Sequence, residues 1–258
     1  MIDMLNELQP IFIVGLMFLF WLIEMMFPYI APPYNRLRRS GRNLLTTLFA
    51  MIANIAMSII ALEVIAFATA NNIGVLHWIH LPPGIEVIAG MMLYDLGSYA
   101  IHHLQHKIPF MWLAHRVHHS DLSLDVTSTF RFHPLDMVYS NGLQLLTILL
   151  FGISQATYVI YFTVLLPIFI AEHSNITLPK WLDNILSLVI VTPNWHKVHH
   201  SNHQPETDSH YADMFALWDR IFGSGQKADI PNISYGLKEF EDDSRQTVGS
   251  LLKTGFKK

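Results

Sequence analysis

The stretch from His102 to His119 reads HHLQHKIPFMWLAHRVHH and holds six histidines, five of them at the spacing of metal ligands. His102 and His106 are four residues apart, so on a helix they share one face. In an H-x-x-H-H triplet the first imidazole meets the other two at i+3 and i+4, again on one face. His115, His118 and His119 form one triplet, and His196, His199 and His200 form a second. Imidazole suits iron, zinc, copper and nickel, and a first-row ion takes about four to six donors. Eight imidazoles in three boxes exceed what one ion holds. The sequence therefore asks for two metals bound mainly through nitrogen. A lone H-x-x-x-H would be weak evidence; three boxes in this order are specific.

Composition sets the surroundings. The chain has 258 residues, 52% of them hydrophobic and 14% charged, against roughly 25% charged in an average soluble domain. That deficit and the long charge-free runs point to an all-α integral membrane protein. A net charge of −4 with no basic face excludes nucleic acid as a partner. Cysteine is absent, which excludes disulfides, thiolate metal sites and cysteine nucleophiles. Any metal must rest on His, Asp or Glu. No cleavable signal peptide is expected, because Asp3 and Glu7 precede the first apolar run and no Lys or Arg does.

The elements that must position the boxes are membrane helices. The run Leu8 to Ile23 gives a first span from about Gln9 to Pro28. Glu24, near its end, reads as interfacial, with partnership to a buried cation as the functional alternative. Ala31 to Asn43 carries four arginines and reads as a loop, which the positive-inside rule places in the cytoplasm. Asn43 to Leu62 crosses outward. Asn71 to Gly84 has no Lys or Arg and fits an outer loop, where His77 and His80 are structural or interfacial. Glu86 to Ile101 returns inward with Asp95 at depth, and a carboxylate there marks function by default. Asp95, Tyr99, His102 and His106 lie on one helical stripe, so Asp95 and Tyr99 are expected to orient an imidazole through its second nitrogen.

Pro109 breaks that helix, and a short helix from Trp112 to Ser120 carries the first triplet. Lys107, Arg116 and Arg131 agree with a cytoplasmic position. As one helix the charge-free run Met137 to Ala171 would be roughly 52 Å long, well over the ~30 Å hydrocarbon core. A hairpin turning near Gly152 to Gln155 fits better, and it delivers His173 to the plane of His102 and His106. Pro179 to Val191 is amphipathic and suits the interface. Thr192 starts the helix of the second triplet. His133 is a helix-start residue or a further ligand; His203 and His210 are surface or supporting residues. Asp219 is expected to support the metal site from outside the ligands. Phe110, Trp112, Phe130 and Trp195 line a lipid slot or anchor the interface. From Ser224 onward the chain reads as a polar tail.

The motifs together resemble the fatty acid hydroxylase/sterol desaturase superfamily of membrane di-iron enzymes. They are H-x-x-x-H at His102, H-x-x-H-H at His115, R-F-H-P at Arg131, H-x-N at His173, T-P-x-x-H-x-V-H-H at Thr192 and W-D-R-x-F-G at Trp218. Three residues inside the first box resemble the sterol desaturase side of that family. The resemblance covers roughly residues 85 to 225 and implies a di-iron centre, with zinc as a substitute. It implies that O2 is used to hydroxylate or desaturate a lipid C–H bond, sterol or fatty-acyl-like. Electrons would come from a separate donor, a reductase, ferredoxin or cytochrome b5-like protein. By motif, the implied ligands are His102, His106, His115, His118, His119, His173, His196, His199 and His200. Two departures stand at the mouth of the site: His103, where relatives often have Arg, and His210-Tyr211-Ala212, where many have Asn-Tyr-Gly.

The expected architecture has about four transmembrane helices and a cytosolic histidine-rich cap. Residues 1–84 form an N-terminal hairpin with its basic loop, 85–225 the catalytic region and 226–258 a cytoplasmic tail. A bacterial inner membrane is the expected location, with the endoplasmic reticulum as alternative. The competing class is a non-catalytic metal-binding membrane protein or metal transporter. Against it, a transporter needs ionisable residues spread through its spans, whereas here they gather at one plane.

Overall fold

The computed structural model describes residues 2–31, 33, 35–226, 230 and 233–256, with side chains from residue 11 onward. The described residues are helical, and one isolated antiparallel bridge pairs Ser201 with Tyr235. Five long helices form the body: α1 (Ile2–Met26), α2 (Arg36–Ala70), α4 (Pro83–Lys107), α6 (Pro134–Phe151) and α7 (Gln155–His173). Short helices complete it: α3 (Val75–Trp78), α5 (Pro109–His119), α8 (Lys180–Leu186), α9 (Pro193–His199), α10 (Gln204–Thr207), α11 (Leu217–Ile221) and α12 (Val248–Thr254).

Prolines and caps set the boundaries. Pro83, Pro109, Pro134 and Pro193 open α4, α5, α6 and α9, where a missing N–H costs nothing. The charge-free run does fold as a hairpin. Gly152, at φ +70°, ends α6, and the Ser154 hydroxyl caps α7 by accepting from Thr157 N. A Cβ on Gly74 would lie 2.1 Å from Gly152 N, so the α2–α3 connection can rest on this hairpin only through glycine.

The basic loop expected at Ala31–Asn43 is instead largely helix. α2 begins at Arg36, so Arg36, Arg39 and Arg42 lie on its first two turns. Cations there oppose the helix dipole, but carboxylates offset them. Arg36 donates to Glu24 at 2.7 Å, and Arg39 donates to Asp121 at 2.6 Å and pairs with Asp125. Glu24 is fully buried and also accepts from the backbone N–H groups of Val126 and Asn175. Its interfacial reading is thus corrected: it is the partner of a buried cation, and it ties α1 to α2 and to two loops of the cap.

Two stretches are long and apolar enough to cross a membrane, Arg36–Trp78 and Gln155–His173, and Ile11–Met26 is a shorter apolar helix. At 35 residues α2 is roughly 52 Å long, so it outreaches a ~30 Å hydrocarbon core and its arginine end stands in the cap. Inside the bundle, Ala61, Ile65, Met91, Tyr94, Ile148 and Tyr161 form a core shared by α2, α4, α6 and α7. Outside, Ile52, Ile55, Ile59, Ile88, Leu146 and Leu150 are exposed. A contiguous apolar exterior of this kind suits lipid rather than water.

Residues 233–256, read above as tail, are packed. Phe240 and Leu251 are buried against Val117 of α5. Gln246 accepts from Arg131 and donates to the Ser120 and Phe240 carbonyls.

Candidate metal centre

Four helix segments converge at one end of the bundle. The last turns of α4 carry His102 and His106. α5 carries His115, His118 and His119. α7 ends on His173, and α9 carries His196 and His199 with His200 as its C-cap residue. Thr192 starts α9, its hydroxyl accepting from Trp195 N. Eight of the nine imidazole residues are buried outright, and the side chain of His106 is fully enclosed.

The nine fall into two groups: His102, His106, His115, His119 and His199 in one, and His118, His173, His196 and His200 in the other. Within each group the donor atoms lie within 4.8 Å of one another. The triplets cross. From α5, the i and i+4 pair His115/His119 serves the first group, while His118 serves the second. From α9, the pair His196/His200 serves the second group, while His199 serves the first. The groups are adjacent, with the rings of His119 and His200 stacked at 4.6 Å.

The residues present fit metal ions. Nε2 of His173 lies 3.1 Å from Nε2 of both His118 and His196, and Nε2 of His200 is 3.1 Å from that of His196. Nε2 of His115 and His119 are 3.2 Å apart, and Nε2 of His102, His106 and His199 have no hydrogen-bond partner. Buried nitrogens that meet only one another are satisfied by a shared cation. Burial, then the neighbouring imidazoles, holds His118, His119, His196, His199 and His200 well below the ordinary histidine range. They are therefore neutral near pH 7, the form that binds metal.

The opposite ring nitrogens fix the tautomer. Nδ1 of His102 donates to the Tyr211 carbonyl at 2.9 Å, and Nδ1 of His199 to the Ser209 carbonyl at 2.7 Å. Asp208 Oδ1 lies 3.4 Å from Nδ1 of His106. Burial alone would raise the Asp208 carboxyl, but the neighbouring His106 ring and the Lys107 ammonium, which donates to it at 2.9 Å, hold it well below the usual carboxylate range. One strap, residues 208 to 211, thus orients three of the five imidazoles in the first group. Asp136 accepts from Nδ1 of His115 at 3.1 Å and is itself held by Gln105. The Phe169 carbonyl accepts from Nδ1 of His173 at 2.8 Å. A proton on Nδ1 leaves the Nε2 lone pair facing the centre.

Asp95 and Tyr99 do not perform the orienting role expected of them. Asp95 accepts from Tyr161, Trp218 Nε1 and the backbone N–H groups of Met214 and Phe215, which anchors the 213–216 loop and the start of α11. The Tyr99 hydroxyl bonds Ser224, and its ring stacks on Phe222. Asp219 accepts from Tyr211 N, Ala212 N, Ser224 and Trp195 Nε1, so it holds the strap from behind. His133 caps α6 by accepting from Leu135 N and donates to the Leu252 carbonyl, outside both groups. His203 is exposed, and His210 bonds Gln226. His103 packs edge-on against Tyr211. His77 and His80 lie beyond α2, at the far end of the bundle. Phe110 is exposed, Phe130 packs on Phe169 and Trp195 on His210, while Trp112 lies 4.9 Å from the His106 ring.

Sequence reasoning passed over Asp136, Asp208 and Ser209, and it placed Tyr211 at the mouth of the site without giving its carbonyl a role. The backbone carbonyls had no signal to find. Asp136, three residues beyond His133, carried one.

The family model described as fatty acid hydroxylase matches residues 87–224. Ornithine lipid hydroxylase OlsE of Rhizobium tropici is 27% identical over 151 residues, covering 58% of this chain and 45% of that protein. Human alkylglycerol monooxygenase is 29% identical over 147 residues, 55% of this chain and 31% of that protein. Human cholesterol 25-hydroxylase is 24% identical over 149 residues, 57% and 53% respectively. The chain thus spans from about a third to about half the length of these relatives. No solved structure matches it.

Proposed function

The chain belongs to the fatty acid hydroxylase family, and from that premise we propose that it hydroxylates a lipid C–H bond at a two-metal centre. The observation that carries this reading is the convergence of nine imidazoles into two adjacent buried groups. The relatives are named as hydroxylases or monooxygenases of ornithine lipid, alkylglycerol and cholesterol. A lipid with an unactivated C–H bond is the substrate class, sterol-like or fatty-acyl-like.

The two groups would hold a pair of iron ions, with zinc as a substitute. Bound there, iron supplies O2 activation: two electrons and two protons reduce one oxygen atom to water while the other enters the C–H bond. Electrons come from a separate donor protein. The chain's own residues position and seclude. The strap at 208–211, Asp136 and the Phe169 carbonyl fix imidazole tautomers. Asp219 acts through the strap as a positioning residue, while Asp95 and Tyr99 support the loop behind it. The bundle excludes water and admits the lipid from the bilayer.

In this reading about four helices cross the membrane. Residues 1–84 form the first hairpin, 85–225 the catalytic region and 226–258 a cap-side segment. The arginine end of α2 supports a centre on the cytoplasmic face, of a bacterial inner membrane or of the endoplasmic reticulum.

The test is metal content with Mössbauer spectroscopy on iron-enriched protein, followed by turnover of lipid extracts. About two irons per chain and an O2-dependent gain of one oxygen in a lipid are expected. Less than one metal per chain after growth with iron overturns the reading. Ion flux into liposomes without O2 consumption would assign the chain to metal transport instead.

A further inference from the structure

We propose that the Glu172 carboxylate is a tenth donor to the metal centre, completing the four-histidine group. The proposal rests on the two-metal reading above. Seven acidic residues are buried in the described structure: Glu24, Asp95, Asp121, Asp125, Asp136, Glu172 and Asp219. Six of them are satisfied. Glu24 takes Arg36 and two backbone N–H groups; Asp95 takes four donors; Asp121 and Asp125 take Arg39 and nearby hydroxyls or amides; Asp136 takes Gln105 and His115; Asp219 takes four donors. Glu172 alone is 0% exposed with neither carboxylate oxygen bonded to a described residue. The charged groups that dominate its surroundings are Asp213 and Asp95, of its own sign. To be ionised in such a place a carboxylate needs a cation beside it, and no lysine or arginine of the described chain pairs with it.

Its position says which cation. Glu172 precedes His173 at the end of α7. Its Oε1 lies 4.0 Å from Nε2 of His196, on the inward side of the four-histidine group, and 3.6 Å from Nδ1 of His173, the nitrogen turned away from the centre. Two donors at ~2.1 Å from one ion stand at most ~4.2 Å apart, so the gap to His196 is one a shared ion can span; the oxygen lies outside the 4.8 Å set of the four imidazoles and reaches the ion by a turn of the Glu172 side chain. The count agrees. α4 gives two donors to the five-histidine group, while α7 gives one imidazole to the other. Glu172 brings α7 to two and both groups to five. A mixed nitrogen–oxygen set on one ion and an all-nitrogen set on its neighbour would make the two metals chemically unequal.

The experiment uses the full chain in detergent, stripped of metal and titrated anaerobically with iron(II), or with cobalt(II) as a spectroscopic stand-in. Wild type, Glu172→Gln and Glu172→Met are compared for stoichiometry, affinity and melting temperature with and without metal. Both variants are expected to bind the first ion as wild type does and the second at least about tenfold more weakly. With metal bound, both variants should gain less in melting temperature than wild type does. The cobalt absorption of the second ion should also change. Two ions at wild-type affinity with an equal melting gain overturn the proposal. Fewer than two ions on wild type overturns the two-metal reading instead, before any variant is compared.

Discussion

Ser209 and Tyr211 hold two imidazoles through their carbonyls, and His210 between them is left-handed at φ +54°. That turn sets the path of both carbonyls. Left-handed backbone is open to Gly and tolerated by Asn, costs other residues about 1 kcal/mol or more, and is worst for β-branched ones. Metal affinity of the five-histidine group should therefore fall in the order His210→Gly and His210→Asn, then His210→Ala, then His210→Val. The Val variant should be about 10- to 100-fold weaker than wild type, and metal titration reads the series. A Gly variant as weak as Val would show that the imidazole, not the backbone, matters. Crossed triplets make a second prediction. His199 sits in the α9 box, yet His199→Ala should release the ion shared with His102, His106, His115 and His119. Cobalt spectra of the variant should match the spectrum lost in His106→Ala, not that lost in His196→Ala.

At the scale of elements, α2 is joined to the cap by ion pairs. Asp121 receives Arg39, Asn43 and Ser128. Burial pushes its carboxyl up, but Arg39 and Arg131 outweigh burial and hold it below the ordinary carboxylate range. A folded-state value below the unfolded one means stability that is full above the unfolded value, about 3.9, and lost as pH falls through the folded one. Melting temperature should thus drop below about pH 4, and Asp121→Asn should melt lower at pH 6 with a flatter acid limb. Parallel wild-type and variant curves would remove Asp121 as the cause. How much of this was legible depended on reach along the chain. H-x-x-x-H and H-x-x-H-H are local, so their faces could be read directly. The hairpin was legible because its charge-free length and Gly152 constrain it locally. The crossing of the triplets was not, because it depends on how α5 meets α9. Glu24 looked interfacial because its partners, Arg36, Val126 and Asn175, are gathered only by the fold. Asp95 was read by depth as functional; its four donors come from α7, from the loop before α11 and from α11 itself.

At the scale of the whole molecule, the proposed membrane topology puts Asn71 and Lys253 at opposite ends. A chain without cysteine can be mapped by single cysteines without first removing any. Both positions are exposed. An impermeant maleimide applied outside intact cells or spheroplasts should label Asn71→Cys and should label Lys253→Cys only after lysis. The reverse pattern would put the metal centre on the outer face.

The crossed triplets also order the birth of the site. When a nascent chain has extended just past α5, it already carries four imidazoles of the five-histidine group, while the other group has only His118. α7 adds His173. α9 then supplies His199 to one group and His196 and His200 to the other in a single docking. The early half has four of its five imidazoles in place before α9 emerges, the late half has two of its four, and the docking of α9 completes both. α9 is thus the element that closes both halves of the centre at once.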